Sequence, residues 1–244
     1  MLKHRVIPVL LYDGSYCVVT EQFKTPARRV GPITQYVENM ANRNIDELIL
    51  IDIYATKQGR RPDFKRVKEF TNKLMCPVTY GGGIGSIDDI SKLIKDCGVD
   101  KVAIKTNFNL IKEAANKFGS QAVVYSMDLY PHHSSGEYFV HGMTKAILPA
   151  YCAELMRNEG AGELLLTAMH KQGLMQGYSN VISQINVKIP IIANGGCGSI
   201  EDMVNALKMG ADAVAAGTVF CLRSLTPQEA ARGLKEAGLP ARVV

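Results

Sequence analysis

The sequence predicts a (β/α)₈ barrel, a closed ring of parallel strands surrounded by helices. The chain has 244 residues, close to the roughly 250 residues typical of that fold. Short apolar strands alternate along it with helical stretches. These strands are nearly continuous runs of Val, Ile and Leu, which is typical of a parallel sheet covered on both faces. An internal repeat of one strand–turn–helix unit also supports this prediction, in addition to the length and the strand pattern.

Each predicted strand ends in a turn and is followed by a plausible helix, such as those at 33–42 and 63–72. The strands span residues 5–11, 47–52, 77–80, 101–104, 122–128, 163–168, 190–193 and 213–216. Eight such units fit a single barrel domain over residues 1–244. An open doubly wound sheet is the alternative, although it usually carries fewer strands in this length.

One segment occurs twice, as PVTYGGGIGSIDD at 77–89 and PIIANGGCGSIED at 190–202. We therefore expect two similar half-barrels that join near Gly119. Each copy reads as a buried strand, a glycine turn and a helix. That arrangement is an anion site because backbone N–H groups and the helix dipole face the ligand. The duplication predicts two phosphate sites and a ligand with a phosphate at each end.

Composition limits the function classes. The formal net charge is +5, and the basic residues lack the aromatic interleaving or recognised module that nucleic-acid binding needs. No apolar run approaches the ~18 residues of a membrane span, and we expect no signal peptide because no apolar segment precedes the first predicted strand. The cysteines show no Cys-x-x-Cys spacing, which favours reduced thiols over structural zinc. We expect a cytoplasmic protein that binds no nucleic acid, membrane, metal or cofactor.

Polar residues at the carboxyl ends of the strands are the candidate site residues, since active sites of this fold lie there. Asp128 is the main catalytic candidate because it ends an apolar strand, where a charge must be paired or functional. The other candidates are Asp52, Lys105, Thr106, His170, Gln172, Asn194 and Thr218. For the two aspartates, a structural role as a cap or ion-pair partner is the alternative.

Six stretches, at 47–52, 78–84, 101–106, 118–124, 160–167 and 190–196, resemble the HisF subunit family of imidazole glycerol phosphate synthase. The resemblance is collinear from Arg5 to about Phe220. In that family a HisH glutaminase releases ammonia, which crosses the barrel and reacts with a phosphoribulosyl aminoimidazole intermediate. The resemblance implies a HisH-like partner and a phosphorylated small-molecule ligand. The internal repeat predicts that such a ligand binds at Gly82, Gly83, Thr106, Gly195, Gly196 and Thr218, and Gly173 and Gly217 are further candidates.

The resemblance also shows departures at the family's active site. Of the family's two catalytic aspartates, one corresponds to Asp128, but Leu11 stands where the other is expected. Leucine cannot carry a proton, and general acid–base catalysis contributes about 10²–10⁴-fold in rate. Lys105 replaces an asparagine, Val18 or Val19 replaces a lysine, and the loop at 168–174 has lost its aspartates. These changes argue against the family's cyclisation reaction.

The opposite end of the barrel keeps the family's ammonia gate, four charged residues at the amino ends of strands. The resemblance implies that Arg5, Glu47, Lys101 and Glu163 form this gate. Two cations and two anions can form a neutral ring of mutual pairs. A network that only stabilises the barrel is the alternative, since conserved residues at that end normally serve stability.

A retained gate below an altered site predicts a HisF-like paralogue. Residues 7–11 and 23–26 resemble the subfamily associated with amidation of N-acetyl sugars for surface polysaccharide more than they resemble authentic HisF. There a HisH-like glutaminase and a separate sugar amidotransferase accompany the barrel. The alternatives are an authentic cyclase of histidine biosynthesis, a binding scaffold without activity, and an isomerase acting on a related bis-phosphate.

Overall fold

Eight parallel strands close into a barrel in the computed structural model, which describes residues 3–105, 107–132, 137–143 and 146–242. The strands in this part of the chain are β1 (Arg5–Tyr12), β2 (Tyr16–Val19), β3 (Arg28–Pro32), β4 (Leu48–Asp52), β5 (Val78–Gly81), β6 (Lys101–Ile104), β7 (Val123–Pro131), β8 (Tyr138–Val140), β9 (Glu163–Ala168), β10 (Ile191–Asn194) and β11 (Ala213–Ala216). The order around the barrel is β1, β4, β5, β6, β7, β9, β10 and β11, and β11 pairs with β1. The predicted (β/α)₈ barrel is confirmed.

Helices pack around the outside of the barrel. They are α1 (Ile33–Ala41), α2 (Phe64–Thr71), α3 (Ile87–Lys95), α4 (Phe108–Phe118), α5 (Pro149–Asn158), α6 (Ile200–Lys208), α7 (Thr218–Leu222) and α8 (Pro227–Glu236). Between β9 and β10 the chain forms a 3₁₀ helix, Asn180–Gln184, and no α-helix. The prediction of a helix after every strand is therefore wrong at this connection. Gly173 and Gly177, both with positive φ, keep it out of a regular helix.

The internal repeat extends to matched hydrogen bonds. Ser86 caps α3 in a reciprocal pair with Asp89, and an equivalent serine–aspartate pair caps α6. The carboxylate of Asp100 accepts a 2.8 Å bond from the amide that opens β5, and Asp212 does the same for β10. The two halves thus fix their strands and helices by the same contacts.

Two antiparallel hairpins rise from the carboxyl end of the barrel and were not predicted. In the first, β1 pairs with β2, and β2 pairs with β3. In the second, β7 runs beyond the predicted strand end at 128 and pairs with β8. Both hairpins contribute residues to the cavity described below.

The barrel interior is a separate apolar core inside the strands. Its buried members are Ile7, Val9, Ile49, Ala103, Val124, Leu165, Ile192, Ala213 and Ala215. These side chains come from alternate strand residues, as the two-residue period of a strand requires. The residues between them face the helices and form the outer core. Within the described residues, no helix is both long and apolar enough to cross a membrane.

Candidate active site and the charged ring

A cavity of about 700 Å³ lies at the carboxyl ends of the strands, a size that suits a small-molecule ligand. We call it the top cavity. The predicted site residues that line it are Asp52, Gly82, Gly83, Lys105, Asp128, Gln172, Gly173, Asn194, Gly195, Gly196, Gly217 and Thr218. Thr106 lies outside the described residues. His170 is not among the lining residues, so the structure does not bring it into the site.

The most closely coupled charged groups of the top cavity are Asp128 and Lys105. The Nζ of Lys105 lies 2.6 Å from Oδ2 of Asp128 and 3.2 Å from Nδ1 of His141. The carboxylate is buried, so its charge must be balanced by a partner. Lys105 supplies that balance. Its ammonium group lies between the carboxylate of Asp128 and the imidazole of His141.

His141 was missed by sequence reasoning and reaches the site through the β7–β8 hairpin. Its amide donates a 2.8 Å bond to the carbonyl of Asp128, which fixes it at the cavity wall. Burial, the charge of Lys105 and more remotely that of Lys57 hold the pKa of His141 below its ordinary value, while Asp128 acts in the opposite direction. The imidazole is therefore predominantly neutral near pH 7, and it can accept a hydrogen bond from Lys105.

Leu11 lines the same cavity from β1 and brings no ionisable group to it. At the end of β10, two strands away from β1, the side-chain amide of Asn194 donates a 3.0 Å bond to the hydroxyl of Thr167. The cationic, carboxylate and imidazole groups of the described cavity wall are Lys24, Asp52, Lys57, Lys105, Asp128 and His141. The acid–base chemistry of this site therefore has Asp128 but no partner on the first strand.

Asp52 serves the local structure. Its Oδ1 accepts bonds from the amides of Tyr54 and Ala55, and Arg60 pairs with the same carboxylate at 3.3 Å. An aspartate that closes a turn in this way fixes the chain after β4. These contacts support a structural role for Asp52 as a turn cap and ion-pair partner.

Gln172 holds the connection after β9 against the first hairpin, and the ring of His170 packs against the second. The Oε1 of Gln172 accepts bonds from the hydroxyl of Thr20, at 2.9 Å, and from the amide of Phe23. The ring of His170 packs against Tyr138, with centroids 5.6 Å apart, and burial lowers its pKa, helped by Lys171. Both residues position cavity walls, and only Gln172 also faces the cavity.

The glycine loops require glycine for steric reasons. A Cβ on Gly82 would lie 2.3 Å from the carbonyl oxygen of Asp52, and one on Gly196 would lie 2.1 Å from that of Gly177. Both glycines also have φ near +107°, a region that side chains disfavour. The amide of Gly83 donates a 3.0 Å bond to the hydroxyl of Thr56. Phosphate binding at these loops stays a prediction.

At the opposite end of the barrel, the four predicted gate residues form a closed charged ring of Arg5, Glu47, Lys101 and Glu163. Arg5 contacts Glu47 at 2.7 Å and Glu163 at 2.8 Å. Lys101 contacts the same two glutamates at 3.0 and 2.8 Å. Burial opposes the charge of Arg5, but the two glutamates outweigh it and raise its pKa. The ring is neutral overall, and each glutamate bridges both cations.

The ring, the apolar barrel interior and the top cavity follow one another along the barrel strands. In β1, for example, Arg5 belongs to the ring, Ile7 to the interior, and Val9 and Leu11 to the cavity wall. Alternate strand residues point inward, so every strand that carries a ring residue continues upward into the interior. An opening of the ring would lead into the apolar interior below the cavity.

These features define a (β/α)₈-barrel protein with a ligand-sized cavity at one end and a charged ring at the other. The chain belongs to the family described as histidine biosynthesis protein, which matches residues 5–226. It is 35% identical over the full length of both chains to a Campylobacter jejuni protein that carries the provisional name imidazole glycerol phosphate synthase subunit hisF2. It is also 35% identical, again over both full lengths, to imidazole glycerol phosphate synthase subunit HisF of Dictyoglomus thermophilum. A provisionally named hisF2 of Pseudomonas aeruginosa is 34% identical and covers 90% of this chain and 91% of its own. The resemblance to HisF is thus confirmed.

Proposed function

We propose that this chain is the HisF-like synthase subunit of a glutamine amidotransferase complex. It receives ammonia from a HisH-like glutaminase through the barrel and supports amidation of an N-acetyl sugar for surface polysaccharide. A separate sugar amidotransferase is a further partner in this proposal. The observation that carries it is a complete charged ring below a site whose first-strand position is Leu11.

The barrel interior suits the passage of ammonia. Ammonia is small and uncharged, whereas ammonium loses its hydration at a high cost in an apolar medium. Three of the nine buried interior residues are alanines, Ala103, Ala213 and Ala215, which leave more room than branched side chains. A charged ring at the entrance and an apolar interior behind it together favour transfer of the neutral molecule.

The top cavity supports a function other than cyclisation. Its buried carboxylate, Asp128, is paired with Lys105 at 2.6 Å. The second carboxylate of the HisF pair is absent because Leu11 occupies its position. The two relatives named hisF2 also favour a paralogue, because their names set them apart from HisF itself.

An authentic cyclase of histidine biosynthesis is the second candidate, and the 35% identity with the HisF of Dictyoglomus thermophilum favours it. The two glycine loops fit either candidate, because both would hold a phosphorylated ligand. The candidates differ in the product formed from the imidazole precursor and ammonium.

The partnership is tested by measuring glutamine hydrolysis by the HisH-like glutaminase with and without this chain. We expect the rate to rise on mixing, and we expect Lys101→Met, which opens the charged ring, to change that activation. Lys112→Met is the matched control, because Lys112 forms an exposed ion pair with Glu159. Absence of binding in calorimetry at micromolar concentrations, together with no activation, would remove the proposal.

A further inference from the structure

One face of the β7–β8 hairpin leads outward from the top cavity. Tyr130 pairs with Phe139 across the two strands, and the amide of His141 bonds the carbonyl of Asp128. Side chains alternate between the two faces of a strand, so these four residues share one face. Leu129 and Val140 point to the other face, where they are buried in the outer core.

The shared face is aromatic and accessible. The ring centroid of Tyr130 lies 6.4 Å from that of Phe139, in a tilted arrangement, and 6.2 Å from the ring of His141, edge to face. Tyr130 is 36% exposed although Leu129 beside it is buried, and Phe139 is partly exposed. Aromatic side chains commonly line ligand sites, so this partly exposed row beside the cavity offers a contact surface.

Polar groups lie at the inner end of this row. His141, Lys105 and Asp128 are linked by contacts of 3.2 and 2.6 Å, and all three line the cavity. An imidazole, an ammonium and a carboxylate together donate and accept hydrogen bonds. The surface therefore offers apolar ring faces next to both kinds of hydrogen-bonding group.

This combination matches the two-sided chemistry of a sugar. The C–H groups of a sugar ring carry partial positive charge and pack against the negative face of an aromatic ring, while its hydroxyls bond to polar groups at the edge.

We propose that the hairpin face formed by Asp128, Tyr130, Phe139 and His141 binds the sugar ring of the acceptor. Tyr130 and Phe139 contact the C–H face of the ring, and His141 and Asp128 bond its hydroxyls at the cavity wall. The choice of a sugar as the acceptor rests on the proposed function. The binding surface itself is read from the hairpin.

Saturation-transfer NMR on the full chain tests the site, with N-acetylglucosamine, N-acetylgalactosamine and N-acetylmannosamine as probes. We expect transfer to the ring protons of at least one sugar. Tyr130→Ala and Phe139→Ala should each weaken binding about 2- to 12-fold, the range that corresponds to one aromatic contact. Tyr151→Ala is the matched control, because Tyr151 lies on α5 and is 66% exposed, and it should leave the signal unchanged.

Transfer to none of the three sugars would overturn the assignment, as would signals that are equal in wild type and in both hairpin variants. Transfer to uridine alone, lost in the hairpin variants, would also overturn it, by assigning the face to a base. Glutaminase activation is a separate readout that involves no sugar. If activation is absent but a sugar binds, the proposed function fails and this site stands. If activation is present and no sugar binds, only this site fails.

Discussion

Replacing Lys101 by methionine would break half of the charged ring. Its Nζ forms two of the four ion pairs, one to each glutamate. In the variant, Glu47 and Glu163 would share only Arg5, and the ring would carry a net negative charge. Glu47 is nearly inaccessible, with 3% of its side chain exposed, so water cannot replace the lost partner fully.

The expected destabilisation follows from this burial. Removing one partner of a buried ion pair costs about 3–5 kcal/mol, and the lower value, about 3 kcal/mol, applies because Arg5 still contacts both glutamates. For a chain of this length, each kcal/mol shifts the melting temperature by about 2–4 °C, so we expect a fall of about 6–12 °C. The double variant Lys101→Met/Glu163→Gln restores neutrality and should recover part of the loss.

Thermal unfolding followed by circular dichroism measures this effect. Lys112→Met is the matched control: it removes the same charge from a 3.5 Å pair whose lysine is 65% exposed. Exposed pairs contribute about 0–1 kcal/mol, so the control should melt within about 4 °C of wild type. Equal melting temperatures for Lys101→Met and Lys112→Met would refute the reasoning that the ring is tightly coupled.

The remaining predictions concern the glycine loops, His141 and phosphate. Backbone strain at a positive φ costs about 1–3 kcal/mol. Gly196→Ala should destabilise the protein by more than this, because its Cβ would also clash with the carbonyl oxygen of Gly177. Gly210→Ala, where nothing lies within 4 Å, should show the strain alone in urea unfolding. The pKa of His141 should rise in Lys105→Met, measured by NMR titration. Since burial and Lys105 lower that pKa from 6.5, the residue's contribution to stability is complete above about pH 6.5 and is lost as the pH falls through the folded-state pKa. Crystals soaked in sulfate should show density at both glycine loops, and empty loops would count against two phosphate sites.

The sequence was sufficient for the barrel because its strands are short, apolar and regularly spaced. The predicted strands at 101–104, 163–168 and 213–216 coincide with β6, β9 and β11. The hairpins were not predictable in the same way. The β7–β8 hairpin begins inside a strand that looked complete at residue 128, so the antiparallel partner strand Tyr138–Val140 was not expected.

The site was predictable where strand order alone places a residue. Asp128 follows from its position at a strand end, whereas the charged ring was predicted from the resemblance to HisF. His141 did not follow, because it reaches Lys105 only through the unpredicted hairpin. Asp52 ends a strand and was a site candidate for that reason. The sequence could not show that turn amides and Arg60 bind its carboxylate.

We propose that this barrel accepts ammonia but does not catalyse the cyclisation of the histidine pathway. The most direct measurement is product formation by the purified wild-type chain from the phosphoribulosyl aminoimidazole precursor and saturating ammonium, followed by mass spectrometry. With Leu11 in place of one acid and Asp128 paired to Lys105, we expect little or no imidazole glycerol phosphate. Sustained turnover to that product, or growth of a cyclase-deficient histidine auxotroph on this chain, would contradict the claim and identify an authentic cyclase.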